Sequence, residues 1–352
     1  MKSYLKAFLL SLVCAVVVAG CGGGHASTEG DEATTGTGGA ASETPAATEE
    51  TPAEAPAAEA SAPITLKDSK GEVTLERPAT KVVTLEWTYA EDLVAVGVQP
   101  AGNADNENYK KNVTDQAALG ADVADVGTRQ EPNLEAIAAL QPDLIIGVAF
   151  RHEPILDQLK AIAPTLLFNP YPDEASGVDQ YGEMEETFRT IAAAVGKSEE
   201  ADKVLADLAK HYDDAKAKLE QAGKNGAEVV LTQAYSNQND AVLRLFTDNS
   251  MAIATLAKLG LTNAWKSDNF EAYGFSTGSV EALPAVQHAN FLYIVQDNDD
   301  VFATKLKDNP VWTDLQFVKE NRAYPLGGST WVFGGPVSAK VFVDRTVDVL
   351  TK

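Results

Sequence analysis

Asn133-Leu-Glu135-Ala-Ile137, followed by Gln141 and the apolar run Leu144–Ile146, is matched further along by Ser279-Val-Glu281-Ala-Leu283, followed by Gln287 and Phe291–Ile294. A second pair stands ahead of it in the same order. Leu93-Val-Ala-Val-Gly97-Val-Gln-Pro-Ala101 shares its pattern with Leu256-Ala-Lys-Leu-Gly260-Leu-Thr-Asn-Ala264. Two matches in the same order, about 150 residues apart, imply two halves of similar build.

Within each half, short β-branched runs alternate with helix-like segments, the grammar of α/β domains with largely parallel sheets. Strands are expected at Val82–Glu86, Leu144–Val148, Val229–Thr232, Leu243–Phe246 and Phe291–Val295. Helices are expected at Thr88–Val96, Asn133–Leu140, Pro154–Ile162, Met251–Leu259 and Val337–Leu350. Thr88-x-x-Glu91 reads as a capping box, with Gly97 as the helix stop.

Between the halves, Gln180 to Gly223 is rich in Ala, Glu, Lys, Leu and Asp and is interrupted only by Gly182 and Gly196. Ser198 is placed to cap a helix with Glu199 and Glu200 in its positive first turn. From there to Ala222 a helix would run roughly 36 Å at a 1.5 Å rise, enough to cross from one half to the other. The fold expected is α/β, two Rossmann-like lobes bridged by a single long helix, with a cleft at the lobe boundary where small ligands bind.

The flanking sequence is simpler. Lys2 and Lys6 precede an apolar run from Ala7 to Val18 broken only by Ser11, the layout of a secretory signal and too short to span a bilayer. It ends in Val18-Ala19-Gly20-Cys21, which resembles the bacterial lipoprotein box, so Cys21 is expected to be acylated and to anchor the chain to a membrane. Cys14 and Cys21 are the only cysteines, which excludes a disulfide scaffold and any Cys-based zinc site downstream. From Gly22 to Pro63 there is no aromatic and no large aliphatic residue, so this stretch reads as a disordered acidic tether. The expected organisation is signal 1–20, tether 21–63, N-terminal lobe 64–178, bridging helical segment 179–223 and C-terminal lobe 224–352.

The 352 residues carry 51 Asp+Glu against 28 Lys+Arg, a net charge of −23, with a pI near 4.5. That excludes nucleic acid as a partner. A hydrophobic fraction of 45% and a mean hydropathy of −0.15 suit a soluble globular protein rather than a multispanning one. The tether holds eight acidic residues and the signal two basic ones, leaving 43 acidic against 26 basic, net −17, in residues 64–352.

Asp125-Val-Gly-Thr-Arg129-Gln-Glu-Pro-Asn-Leu-Glu135, with Leu140-Gln-Pro-Asp-Leu-Ile-Ile146 and Ile162-Ala-Pro164, closely resembles ferric-siderophore-binding proteins of ABC importers, the periplasmic-binding-protein class that carries iron citrate and hydroxamates. Glu86-Trp87-Thr-Tyr-Ala-Glu91-Asp-Leu and Trp331-Val-Phe-Gly-Gly-Pro-Val-Ser-Ala339 fit the same proteins, in collinear order over residues 64–352. The resemblance implies two lobes bridged by one long helix, little motion on binding and delivery of cargo to a permease dimer with its cytoplasmic ATPase. It further implies a monomeric, non-enzymatic lipoprotein on the outer face of the bacterial cytoplasmic membrane, with no covalently bound cofactor.

Ferric iron is a hard cation that takes oxygen ligands. His25, His152, His211 and His288 are scattered without ligand spacing, so a bare-metal site is not expected. A siderophore brings its own oxygens, and the protein then needs positive charge for an anionic chelate and aromatic surface for its body. Arg129, in the loop before the Asn133 helix, is the first candidate, and the resemblance sets it against the chelating oxygens. Arg151 follows the strand ending at Val148 and so sits at the carboxyl edge of a sheet, where α/β ligands bind; the alternative is a surface pair with Glu153. Arg244, within a strand, either contacts ligand or packs against Asp240 or Asp248. Tyr273 lies where the resemblance implies an aromatic contact. Trp331 and Trp87 either face the cleft or pack in the core. Three arginines among aromatics favour a carboxylate-bearing chelate such as ferric citrate or a citrate-hydroxamate.

Glu135 and Glu281, each the second residue of its helix, favour the helix dipole. The resemblance adds a role in docking on the permease. Haem and cobalamin are rival ligands, and His152 or Tyr273 would be the axial group for haem. Gly274-Phe-Ser276-Thr-Gly278 fits a hydrolase nucleophile pattern, but no strand precedes it and only His288 follows, so the match reads as chance.

Overall fold

The computed structural model describes residues 62–352. The signal, Cys14, Cys21, His25 and the tether up to residue 61 lie outside them. The described chain opens with an antiparallel hairpin of β1 (Ile64–Asp68) and β2 (Gly71–Leu75). Then follow β3 (Val82–Thr84), β4 (Gly102–Asn103), β5 (Ala124–Asp125), β6 (Leu144–Val148) and β7 (Thr165–Phe168). These five form a parallel sheet in the order β5-β4-β3-β6-β7. All five residues of β6 are buried, because a strand covered on both faces needs a continuous apolar run rather than an alternating one. The chain winds one way from β3 and then returns beside it as β6. The crevice beyond the carboxyl ends of those two strands is therefore a topological switch point.

The helices of this lobe are α1 (Trp87–Ala95), α2 (Asn106–Asn112), α3 (Leu134–Ala139), α4 (Ala149–His152) and α5 (Leu156–Lys160). Gly97 stops α1 as expected. With φ +80°, it lets Gly97 N–H reach Val94 O at 3.0 Å and Val98 N–H reach Leu93 O at 2.9 Å, the paired bonds of a left-handed helix end. The capping box is not formed. Glu86 is the N-cap residue, Thr88 Oγ1 donates to Phe333 O at 2.6 Å, and Glu91 accepts from Ser338 N–H and Oγ, both at 2.7 Å. Both side chains of the local signature instead serve a contact some 245 residues away.

The segment between the lobes forms two helices, α6 (Gln180–Ala194) and α7 (Ser198–Gln221), the second of 24 residues as anticipated. Ser198 is not its cap: Lys197 holds that position and no side chain bonds there. Ala201 and Leu205 of α7 pack in the N-terminal core, while Leu208, Tyr212, Ala215 and Leu219 pack in the C-terminal one. α6 divides the same way in reverse, with Tyr181 and Met184 in the C-terminal core and Phe188, Ile191 and Ala192 in the N-terminal one. The long bridge therefore has a partner that is also rooted in both lobes.

The C-terminal lobe contains β8 (Glu228–Asn237), β9 (Asp240–Phe246), β10 (Thr262–Asn263), β11 (Phe275–Gly278), β12 (Asn290–Ile294) and β13 (Ala323–Pro325). Its helices are α8 (Met251–Lys258), α9 (Pro310–Thr313), α10 (Gln316–Lys319) and α11 (Pro336–Leu350). The sheet runs β11-β9-β8-β12-β13, with β10 also beside β8. β10, β8, β12 and β13 are parallel, but β9 runs against β8 and β11 pairs antiparallel with β9, so the two sheets repeat only in part. The segment after Ser279 is a 3₁₀ helix over Val280–Val286 rather than an α-helix, with Pro284 inside it; proline removes the amide an α-helical turn would use.

Candidate functional site

Three loops at the carboxyl edge of the N-terminal sheet build one wall of a cleft. Glu86 leaves β3 and sits at the start of α1, its Oε1 accepting from Trp87 N–H at 3.0 Å. Arg129 comes from the loop after β5 and donates to the same oxygen at 2.7 Å. Arg151, in α4 after β6, bonds the other oxygen. One carboxylate thus braces two guanidiniums, with side-chain exposures of 18% for Arg129, 20% for Arg151 and 10% for Glu86. Glu153 pairs with Lys70 instead, so the surface-pair alternative for Arg151 is not what forms.

His152 holds this wall from behind. It is fully buried; Val148 N–H donates to its Nδ1 at 2.9 Å, so the proton sits on Nε2 and is donated to Arg129 O at 2.9 Å. Burial lowers its pKa and keeps the ring neutral. The ring can lie on β6 only because residue 147 is glycine: a Cβ there would come within 2.7 Å of Nδ1. With both nitrogens engaged, His152 is not free to be an axial haem ligand, which corrects that expectation.

The opposite wall is aromatic. Arg244, in β9, donates to Gln233 Oε1 at 2.8 Å and lies between the rings of Tyr235 and Phe275, 5.2 and 4.9 Å from their centroids. Asp248 pairs with Lys266 and no ion pair joins Arg244 to Asp240, so neither acid ties it down. Tyr273 is half exposed, with its ring 5.0 Å from Tyr171 and 6.2 Å from Phe150 of the other lobe. Trp331 packs 5.2 Å from Phe333 and 5.1 Å from Trp87. Between the walls is a cavity of about 320 Å³ whose lining includes Arg129, Arg151, Arg244, Tyr273 and Trp331. Five of the six expected contact residues therefore meet in it.

The sixth, Trp87, lies one layer deeper. It is 3% exposed, its indole N–H donates to Ala104 O at 3.1 Å, and Arg129 lies flat over its face at 3.6 Å. It supports the guanidinium rather than lining this cavity. Among the described residues Glu86 is the only carboxylate in the lining, so three cations meet one anion inside an acidic domain. Arg129 Nε and Trp331 Nε1 are buried donors without an acceptor among the described residues. Glu86, Phe150, Tyr171, Phe275 and Phe333 complete the site and were not singled out from the sequence. Glu86 carried one usable signal, an acid at the end of the first expected strand.

Behind the cleft a second cavity, of about 30 Å³, touches Tyr89, Asp92 and Glu183. Asp92 is buried and one of its carboxylate oxygens has no partner. Burial, then the charges of Glu91 and Glu183, hold its pKa well above the usual range. Burial raises Glu183 to about 7, against the opposing bond from Thr187.

Glu135 and Glu281 are both exposed. Each is the second residue of its helical turn, with Asn133 capping the first helix. Ser279 donates to Glu281 and lowers its pKa. Ser276 lies inside β11, accepting from Trp265 Nε1 at 3.3 Å; a residue in the middle of a paired strand is no nucleophile elbow.

Comparison with known proteins agrees with this architecture. The Fe(3+)-citrate-binding protein YfmC of Bacillus subtilis is 32% identical over 82% of this chain and 85% of its own. The Fe(3+) dicitrate-binding periplasmic protein FecB of Escherichia coli is 30% identical over 76% and 83%. The crystal structure of the Fe3+–Desferal-bound siderophore-binding protein FhuD from Vibrio cholerae superposes with a TM-score of 0.68 at 26% identity, covering 77% of this chain and 98% of that one. These relatives are binding proteins, not enzymes. The periplasmic binding protein model matches residues 82–330, and the chain belongs to that family.

Proposed function

We propose that the chain is the extracytoplasmic binding component of an ABC importer and captures an anionic ferric siderophore, of carboxylate-bearing type, in the interlobe cavity. The observation that carries this reading is the convergence of Arg129, Arg151 and Arg244 on one cavity in a domain of net charge −17. Charge-assisted bonds from guanidinium to carboxylate are the strong class of hydrogen bond, and the unpartnered donors Arg129 Nε and Trp331 Nε1 would gain acceptors. The iron arrives as cargo with its oxygen ligands already in place. The ferric citrate proteins among the relatives support the carboxylate class.

The reading includes lipid anchoring through Cys21 at the outer face of the bacterial cytoplasmic membrane. It also includes docking through Glu135 and Glu281 on a permease dimer served by a cytoplasmic ATPase. Titrating ferric citrate and a neutral ferric trihydroxamate by tryptophan quenching tests the ligand class. Tighter binding of the citrate complex is expected, and preference for the neutral chelate would overturn the carboxylate assignment. Charge reversal at Glu135 and Glu281 together should preserve affinity but block uptake by cells; normal uptake would refute the docking role.

A further inference from the structure

A second hollow, of about 290 Å³, opens beside the cleft and shares Arg129, Arg244 and Trp331 with it. The two are compartments of one groove, and Arg244 divides them. The Phe275 ring flanks that guanidinium on the side of the cleft already described, and the Tyr235 ring flanks it on the side of the second hollow.

The compartments differ in chemistry. Among the described residues the second has no carboxylate in its lining, and its uncharged polar side chains are mostly amides. Gln233 uses Oε1 to accept from Arg244, while its amide N–H groups donate to nothing among the described residues. Gln296 Nε2 donates across the lobes to Asn112 Oδ1 at 3.0 Å and, within its own lobe, to Gly328 O at 2.9 Å, and its Oε1 has no donor among the described residues. With the shared Arg129 and Arg244 engaged by an anionic core in the first compartment, the free amide donor and free amide acceptor beside an exposed tyrosine ring are left to suit an uncharged hydrogen-bonding group. Each compartment alone is at the low end of ordinary ligand sites, roughly 300–1,000 Å³.

We propose that the groove is built for a two-part ligand: a ferric carboxylate core against Arg129, Arg151 and Arg244, and a neutral amide- or hydroxyl-bearing arm lying over Tyr235 between Gln233 and Gln296. This rests on the reading of the cleft as a ferric carboxylate site. Two probes separate the claims, ferric citrate and the ferric complex of a citrate monoamide carrying a hydroxyalkyl arm, each titrated against the full chain by tryptophan quenching. The armed chelate should bind about tenfold tighter, the worth of one or two neutral hydrogen bonds. In Tyr235→Ala and in Gln296→Met the ratio of the two affinities should fall to about one. If ferric citrate does not bind at all, the functional reading fails and this inference with it. If ferric citrate binds but the arm adds nothing, or its gain survives both substitutions, the second compartment is not a subsite.

Discussion

The two walls of the cleft solve one task by different means. The N-terminal wall is electrostatic and over-determined: Arg129 is held by Glu86 at its tip, Trp87 on its face and His152 at its backbone. The C-terminal wall is aromatic and loosely tied, with Arg244 fixed by one side-chain bond and two rings and Tyr273 half in solvent. Parallel strands ending at a switch point place charged loops side by side, whereas the antiparallel pair β9–β11 offers a broad surface of side chains. The rigid wall is suited to reading charge, and the looser one to accommodating shape.

The largest expected effect breaks the rigid wall. Arg129→Ala should weaken binding of an anionic ferric chelate by about 1.5–3 kcal/mol, the range for a hydrogen bond to a charged group; isothermal titration checks this, and unchanged affinity would remove Arg129 from the site. Glu86→Gln sharpens the same contrast, because it deletes the resident anion while keeping an oxygen for one guanidinium. Anionic chelates should then bind roughly tenfold tighter, about 1.4 kcal/mol, while the unliganded protein melts earlier with two unbalanced, partly buried cations. On the looser wall, Tyr273→Ala should cost only about 0.5–1.5 kcal/mol of binding, and Tyr273→Phe less still.

The smallest effect concerns the acids behind the cleft. Glu183 in the folded chain titrates near 7, above its unfolded range. Its contribution to stability is full below the unfolded value and disappears as pH rises through about 7. Between about pH 5 and pH 8 the wild-type melting temperature should therefore fall relative to that of Glu183→Gln, by a few degrees. Parallel curves would show that Glu183 is already ionised in the native state.

Much of the frame was legible in sequence. Apolar runs such as Leu144–Val148, the glycine stop at Gly97 and the 24-residue α7 are local signals, and local physics preserved them. Pairings across long separations were not. Thr88 and Glu91 have the spacing of a cap, yet Thr88 donates to Phe333 O, and Glu91 accepts from Ser338 N–H, giving the N-terminus of α11 the acceptor that its own N-cap, Gly335, lacks. Glu86 could be seen as the last residue of an expected strand, but not as the counter-ion of two arginines 43 and 65 positions on. Arg151 could be placed because it follows a sheet strand, and Arg129 because the resemblance sets its motif position against the chelating oxygens. Tyr171 and Phe333 could not, since an aromatic residue in a loop carries no mark of the surface it will face.

The braces between the lobes also bear on kinetics. α6 and α7 each root in both cores, and Glu91 ties α1 to the start of α11. Walls joined at so many points are braced against swinging about either helix. On the proposed reading, a ligand would then load at the rate of productive encounter rather than wait on a gate. Release would in turn need an outside partner that competes for Arg129, Arg151 and Arg244.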